Sequence, residues 1–136
     1  MLSLHADTFR LFLHVLAATI WVGGQLTLAG LVSTVRDIDP AAPRLVARRF
    51  NLIAWPAFGV LVATGIWNLL EVDVGDASTE YQITLFVKLM FVALSGVGAF
   101  LHSISRTRTG LAVWGAIGGL SSVAALFFGV WLTRGY

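Results

Sequence analysis

Cysteine is missing from all 136 residues, only 12% of the side chains are charged, and methionine occurs twice. The lack of thiols excludes disulfides, covalent c-type haem, thiolate-ligated haem, cysteinyl iron–sulfur clusters and a thiolate copper relay. Met90 is the one internal methionine, so soft sulfur ligands are scarce. Charge is equally thin: an ordinary soluble domain carries roughly 25% charged residues, about twice what is present here. There is no phosphate-cradling glycine-rich loop, no nucleophile elbow and no pair of carboxylates inside an apolar run, which disfavours hydrolytic chemistry. No stretch interleaves aromatic and basic residues where water reaches, so the formal charge of +2 does not point to nucleic acid.

What the chain has instead is hydrophobicity, at 57% of residues and a mean hydropathy of +0.85. No charge falls between Arg10 and Arg36, between Arg49 and Glu71, or from Thr109 to Thr133, and only Lys88 interrupts Tyr81 to Ser105. Each run is long enough to cross a hydrocarbon layer of about 30 Å as a helix, where backbone hydrogen bonds must close within the segment. The expected fold is an all-α integral membrane four-helix bundle. It forms a single membrane domain over residues 1–136, with spans at 11–33, 50–70, 82–105 and 109–133. Arg36, Arg44, Arg48, Arg49, Arg106 and Arg108 fall in the first and third connections. The positive-inside rule therefore puts those connections in the cytoplasm and both termini outside. The expected location is the inner membrane of a prokaryote. Pro40 and Pro43 mark the first connection as a turn, followed by a short basic interfacial segment over 41–49. The acidic second connection (Glu71, Asp73, Asp76, Glu80) lacks EF-hand spacing and reads as a solvated loop.

Helices in lipid associate through small residues and occasional polar contacts. Gly115, Gly119, Ser122 and Gly129 are expected to make a seam on the fourth span, with further small sites at Gly23, Gly24, Gly30, Ser95, Gly96 and Gly98. Pro56 is placed near the start of the second span, where a missing N–H costs least. Trp55, Trp67, Trp114 and Trp131 approach the membrane boundaries as interfacial anchors. Trp21 sits mid-span, and so faces lipid or covers something large.

Packing alone does not account for three ionisable residues inside the spans: His14, Lys88 and His102. Such groups usually face the protein interior or a cavity. At 100° per residue, His14, Ala18, Trp21 and Gln25 share a stripe on the first span, and Lys88, Ser95 and His102 share one on the third. His102 is about 21 Å beyond Lys88 and reads as an interfacial histidine beside Arg106. For His14 two readings remain: an axial ligand to a b-type haem, with Trp21, Gln25 and Ala18 lining the pocket, or a histidine hydrogen-bonded to another helix. Lys88 either snorkels or holds an anionic group such as a propionate, with Ser95 on the same face.

The run Leu13-His14-Val15-Leu16-Ala17-Ala18-Thr19-Ile20-Trp21-Val22-Gly23-Gly24 resembles the first helix of the copper-resistance D (CopD) domain and of the related HemJ membrane proteins. Thr64-Gly65-Ile66-Trp67-Asn68-Leu69-Leu70, Val87-Lys88-Leu89 and Leu101-His102 are similar to later parts of that pattern. The HemJ resemblance implies b-type haem and oxidation of a porphyrinogen, with importance falling on His14 and Lys88. The Pro-Arg pair that follows the first-helix glycine in those proteins is replaced here by Gln25-Leu26-Thr27-Leu28-Ala29-Gly30. The CopD resemblance implies copper uptake or tolerance.

The leading expectation is a b-type haem protein of the lipid bilayer, engaged in electron transfer or porphyrin metabolism. Iron (heme b) would be ligated by His14, with quinol or porphyrinogen as redox partner and no catalytic residue assigned. The alternatives are a copper-handling membrane protein and a cofactor-free assembly subunit in a homodimer or larger membrane complex.

Overall fold

In a computed structural model of the protein, residues 4–135 are described. They form helices and short connections, with no strand among them. Four helices are long and apolar enough to cross a membrane: Ala6–Ile38, Ala42–Glu71, Thr79–Ile104 and Arg108–Gly135. We label them α1 to α4; α4 is α-helical over Arg108–Leu132 and ends in a 3-10 turn at Thr133–Gly135. The chain divides into two compact units, one running through Val72 and the other beginning at Asp73. Each unit is an antiparallel hairpin of two helices.

The first hairpin is closed by three residues, Asp39 to Ala41. The Asp39 carboxylate accepts the Ala41 N–H at 2.9 Å and its carbonyl accepts the Ala42 N–H at 3.0 Å. Pro43 falls at the start of α2, where a proline is tolerated because the first N–H groups have no helical acceptor. The basic segment expected at 41–49 is therefore the first two turns of α2 itself. This lengthening corrects the placement of Pro56, which lies inside the helix. Its missing N–H removes an interior hydrogen bond at a level where no N-terminal orphan exists to absorb the loss.

Side chains of the first hairpin meet in a descending register. Arg10 lies over the Trp67 ring at 5.9 Å, His14 bonds Thr64, and Trp21 packs on Trp55 and Phe58 with ring centroids at 5.3 and 4.4 Å. A Cβ added at Gly24 would meet the Phe50 ring. Trp21 is 2% exposed, so of its two expected surroundings it takes the interior one. It covers Trp55 and Phe58, and Trp55 is accordingly part of a packed cluster.

α1 is not one uniform α-helix. Thr19–Gly23 is a π-helical turn between α-helical segments Ala6–Ala18 and Gly24–Ile38. An i→i+5 turn sets everything downstream back by about one residue of rotation, roughly 100°. The single stripe expected for His14, Ala18, Trp21 and Gln25 assumed constant phase, and the π turn breaks that phase between Ala18 and Gln25. The Gln25 side-chain amide donates to the Trp21 carbonyl at 2.9 Å, while Thr19 and Thr27 donate to the Val15 and Gly23 carbonyls at 2.8 and 2.7 Å. Polar side chains thus hydrogen-bond main-chain carbonyls in and beside the widened turn, as an apolar surrounding demands.

The second hairpin has capped helix starts. Ser78 Oγ accepts the Tyr81 N–H at 3.2 Å, and Thr107 Oγ1 accepts the Gly110 N–H at 3.0 Å. The Gln82 amide nitrogen ties back the acidic connection by donating to the Val74 carbonyl at 2.8 Å. Backbones approach most closely at Gly98 and Gly118: a Cβ on Gly98 would stand 2.6 Å from the Gly118 nitrogen and 2.8 Å from its Cα. Gly118 therefore occupies the seam where Gly119 was expected. Gly119 has open space around its missing Cβ, as do Gly23 and Gly30, whereas Gly115 lies under the His102 ring and Gly129 beside Lys88.

This packing predicts opposite responses to two adjacent substitutions. Gly98→Ala or Gly118→Ala forces backbone apart and should cost about 1–3 kcal/mol. Gly119→Ala meets nothing and gains up to about 1 kcal/mol of helix propensity. Thermal unfolding of the detergent-solubilised protein followed by circular dichroism separates the two cases. Equal melting shifts for Gly118→Ala and Gly119→Ala would contradict the seam.

Candidate functional site

The polar residues of the first hairpin lie along one half of the α1–α2 interface. On α1, Arg10 and His14 are four residues apart and share a face; on α2, Thr64, Asn68 and Glu71 do the same. Farther along, the interface becomes apolar and tight, with Ala17, Trp21, Ala54 and Ala57 all buried. His14 stands at the junction of the two halves.

His14 Nδ1 lies 2.8 Å from Thr64 Oγ1. The same hydroxyl lies 2.7 Å from the Val60 carbonyl, and 3.1 Å from that of Leu61. Thr64 is 5% exposed and has one hydrogen to give. The hydroxyl can donate to α2's own carbonyls and accept from His14 Nδ1–H, or donate to Nδ1; its closer approach to the Val60 carbonyl fits the first arrangement. In that arrangement the proton is on Nδ1 and the lone pair on Nε2. A neutral imidazole with Nδ1–H held by an acceptor and Nε2 in lone-pair form is the state in which histidine binds a metal. Gly65 lies beside the ring, its missing Cβ 3.7 Å from His14 Cε1.

The remaining residues of the two polar stripes have these surroundings. Ala18 is half-buried at the edge of the π turn. Trp21 is packed into the aromatic cluster, and Gln25 is engaged with the Trp21 carbonyl. In the second hairpin, Lys88 is half-buried, and its Cε and Nζ would lie 3.5 Å from a Cβ on Gly129. Ser95 is 1% exposed and donates to the Val92 carbonyl at 2.8 Å. His102 Nδ1 is 2.8 Å from the Leu111 carbonyl, so it donates there, joining the end of α3 to the start of α4. Met90 is exposed.

Two further polar groups of the first hairpin belong with His14, although the sequence reading did not select them. The Arg10 guanidinium is 11% exposed, with Asp7 Oδ1 3.0 Å and Glu71 Oε2 3.9 Å from its Nη1. Arg10 Nε and Nη1 and Asn68 Oδ1 are buried with no hydrogen-bond partner among the described residues, so the Asp7 and Glu71 contacts of Nη1 are ion pairs without hydrogen-bond geometry. The signal was available in the sequence: Arg10 and Asn68 fall one turn from His14 and Thr64 on the same faces.

Among the described residues, no group of three or more His, Cys, Asp or Glu side chains is placed to hold a metal. What the first hairpin supplies is one oriented imidazole. On the side toward the π turn, the Trp21 ring packs against Trp55 and Phe58.

No family model and no solved structure matches the sequence. The chain is 34% identical over 107 residues to "Copper transport protein CutJ" of Bacillus subtilis (strain 168), a match covering 74% of this chain and 20% of that protein. The chain thus spans about a fifth of the length of that relative. It is also 28% identical over 141 residues to an uncharacterized protein of Aquifex aeolicus (strain VF5), covering 93% of this chain and 94% of that one. The named similarity is to a copper protein, and nothing in these matches points to haem, iron or electron transport.

The hydroxyl relay gives a direct prediction. Thr64→Val keeps the shape of the side chain but removes the acceptor for His14 Nδ1–H, and should cost about 1–3 kcal/mol of stability. Nitrogen-15 NMR of labelled histidine should show the Nδ1–H form at His14 in the wild type and in Thr64→Ser, and loss of that preference in Thr64→Val. An unchanged tautomer in Thr64→Val would contradict the assignment.

Proposed function

We propose that the chain is the membrane module of a copper-handling system, located in a prokaryotic inner membrane with both termini outside. His14 presents Nε2 to the metal. The observation that carries this reading is the His14–Thr64 pair: His14 Nδ1 and Thr64 Oγ1 are 2.8 Å apart and the hydroxyl is 2.7 Å from the Val60 carbonyl, an arrangement that suits a proton on Nδ1. The similarity to a copper transport protein supplies the choice of metal, and imidazole is a suitable copper ligand.

Copper is cargo in this reading, and a site that passes cargo must bind it weakly enough to let go. A lone imidazole suits such a relay better than a closed cage. The lack of cysteine removes thiolate traps from the route. Further ligands would come from water or from a partner in the membrane.

A second reading is a b-type haem, and one observation favours it: haem iron is held by a single axial imidazole, which is what the hairpin offers. His14 would be that ligand, and the bound group would supply one-electron redox chemistry. The packed aromatic cluster around Trp21 makes this the less economical reading.

Copper titration of the purified full chain in detergent, with metal analysis and an absorption spectrum, separates the two. The expected outcome is copper binding that weakens at least about tenfold in His14→Ala and by a comparable factor in Thr64→Val, without a Soret band. Equal copper affinity in wild type and His14→Ala would overturn the proposal. A Soret band in wild type that His14→Ala abolishes would replace copper with haem.

A further inference from the structure

The polar half of the α1–α2 interface has a graded character. At the end of the hairpin where α1 begins and α2 finishes, the Asp7 and Glu71 side chains are 67% and 53% exposed. One level in, the Arg10 side chain is 11% exposed, and at the level of His14 the Thr64 residue is 5% exposed. Beyond His14, Trp21 at 2% and Ala54 at 2% close the interface. Polar residues thus run continuously from an exposed mouth to His14 and stop there.

Within that run sit buried atoms of opposite hydrogen-bonding sign, the Arg10 Nε and Nη1 donors and the Asn68 Oδ1 acceptor, none with a hydrogen-bond partner among the described residues, Nη1 being held by its ion-pair contacts alone. A buried polar group left dry is costly, and more so in a helix surrounded by hydrocarbon. Polar side chains at membrane depth are tolerated where they face a water-filled cavity. Water can accept from Arg10 and donate to Asn68, satisfying both. Two carboxylates against one guanidinium give the mouth a net negative charge, which draws cations and not anions.

From these observations we infer that the polar half of the α1–α2 interface is a water-filled port through which a hydrated cation reaches His14 from the Asp7–Glu71 end, with the Trp21–Trp55–Phe58 cluster as its floor. Arg10 tethers the two carboxylates, and Asn68 Oδ1 is the oxygen acceptor between mouth and imidazole. The identity of the cation as copper rests on the function proposed above; the existence of the port does not.

The natural absence of cysteine makes the test direct. Single variants Asn68→Cys, in the port, and Ala57→Cys, in the apolar half, are treated with a membrane-impermeant cationic thiosulfonate in right-side-out and inverted vesicles. Asn68→Cys should react from one face of the membrane while Ala57→Cys stays unmodified. The cationic reagent should also outpace its anionic counterpart about tenfold at Asn68→Cys. Asn68→Cys reacting no faster than Ala57→Cys overturns the port, and equal rates for the two reagents overturn its cation preference.

Should Asn68→Cys fail to fold, hydroxyl-radical footprinting of the unaltered protein decides the matter. The port predicts oxidation of His14 with sparing of the intrinsically more reactive Trp21, and sparing of His14 overturns it. A wild type that binds no copper would sink the metal assignment while leaving these labelling patterns as evidence for the port. A sealed interface would sink the port while leaving copper binding at His14 intact.

Discussion

A threonine hydroxyl has one hydrogen, and in the first hairpin that hydrogen decides the chemistry. With Thr64 donating to the Val60 carbonyl on its own helix, His14 donates Nδ1–H to Thr64, and this is the arrangement on which the functional proposal rests. In water such a preference would be weak, because solvent offers every nitrogen an alternative partner. Between two helices the alternatives are few, and the tautomer follows from the direction of the hydroxyl hydrogen.

The rest of the hairpin is arranged around that pair. On one side of His14 the interface is apolar and closed by aromatic rings packed edge-on and tilted; on the other it is polar and ends in charged residues at the helix termini. The π turn at Thr19–Gly23 belongs to the closed side. Such turns recur at functional sites because they rotate one part of a helix relative to the other. Just beyond this one, the Gln25 amide is hydrogen-bonded to the Trp21 carbonyl. The second hairpin rests on a different device, the backbone contact of Gly98 with Gly118, and on the His102 hydrogen bond to Leu111 that joins its two helices.

Four membrane-length helices were legible because charge is either present or absent, and a soluble fold cannot hide three uncharged runs of twenty or more residues, with a fourth broken only by Lys88, in so short a chain. Helix ends were less legible. Arginines within α2's first two turns read as a loop because charge marks the edge of hydrocarbon and not the edge of a helix. That displacement also misplaced Pro56. Gly119 stood in for Gly118 because a stripe of four small residues spans a wide arc, and only the facing Gly98 shows where its centre lies. The constant phase assumed for the stripe through Gln25 is interrupted by a π turn that hydropathy does not encode. His14 as the residue of interest was legible from its position in an apolar run, whereas Thr64 as its partner needed the register of two helices. The scarcity of sulfur ligands weighed against copper in the sequence, yet the named relative is a copper transport protein. Missing thiolates exclude particular ligand sets and leave a role for imidazole open.

Binding of metal through Nε2 with the proton retained on Nδ1 is the claim on which the functional account stands. Nitrogen-15 NMR of histidine-labelled protein, recorded before and after loading with copper(I), tests it without substitution. The account predicts that the His14 Nε2 resonance shifts on loading while Nδ1 keeps its attached proton. A shift at Nδ1 in place of Nε2, or no change at either His14 nitrogen with copper bound, would contradict it.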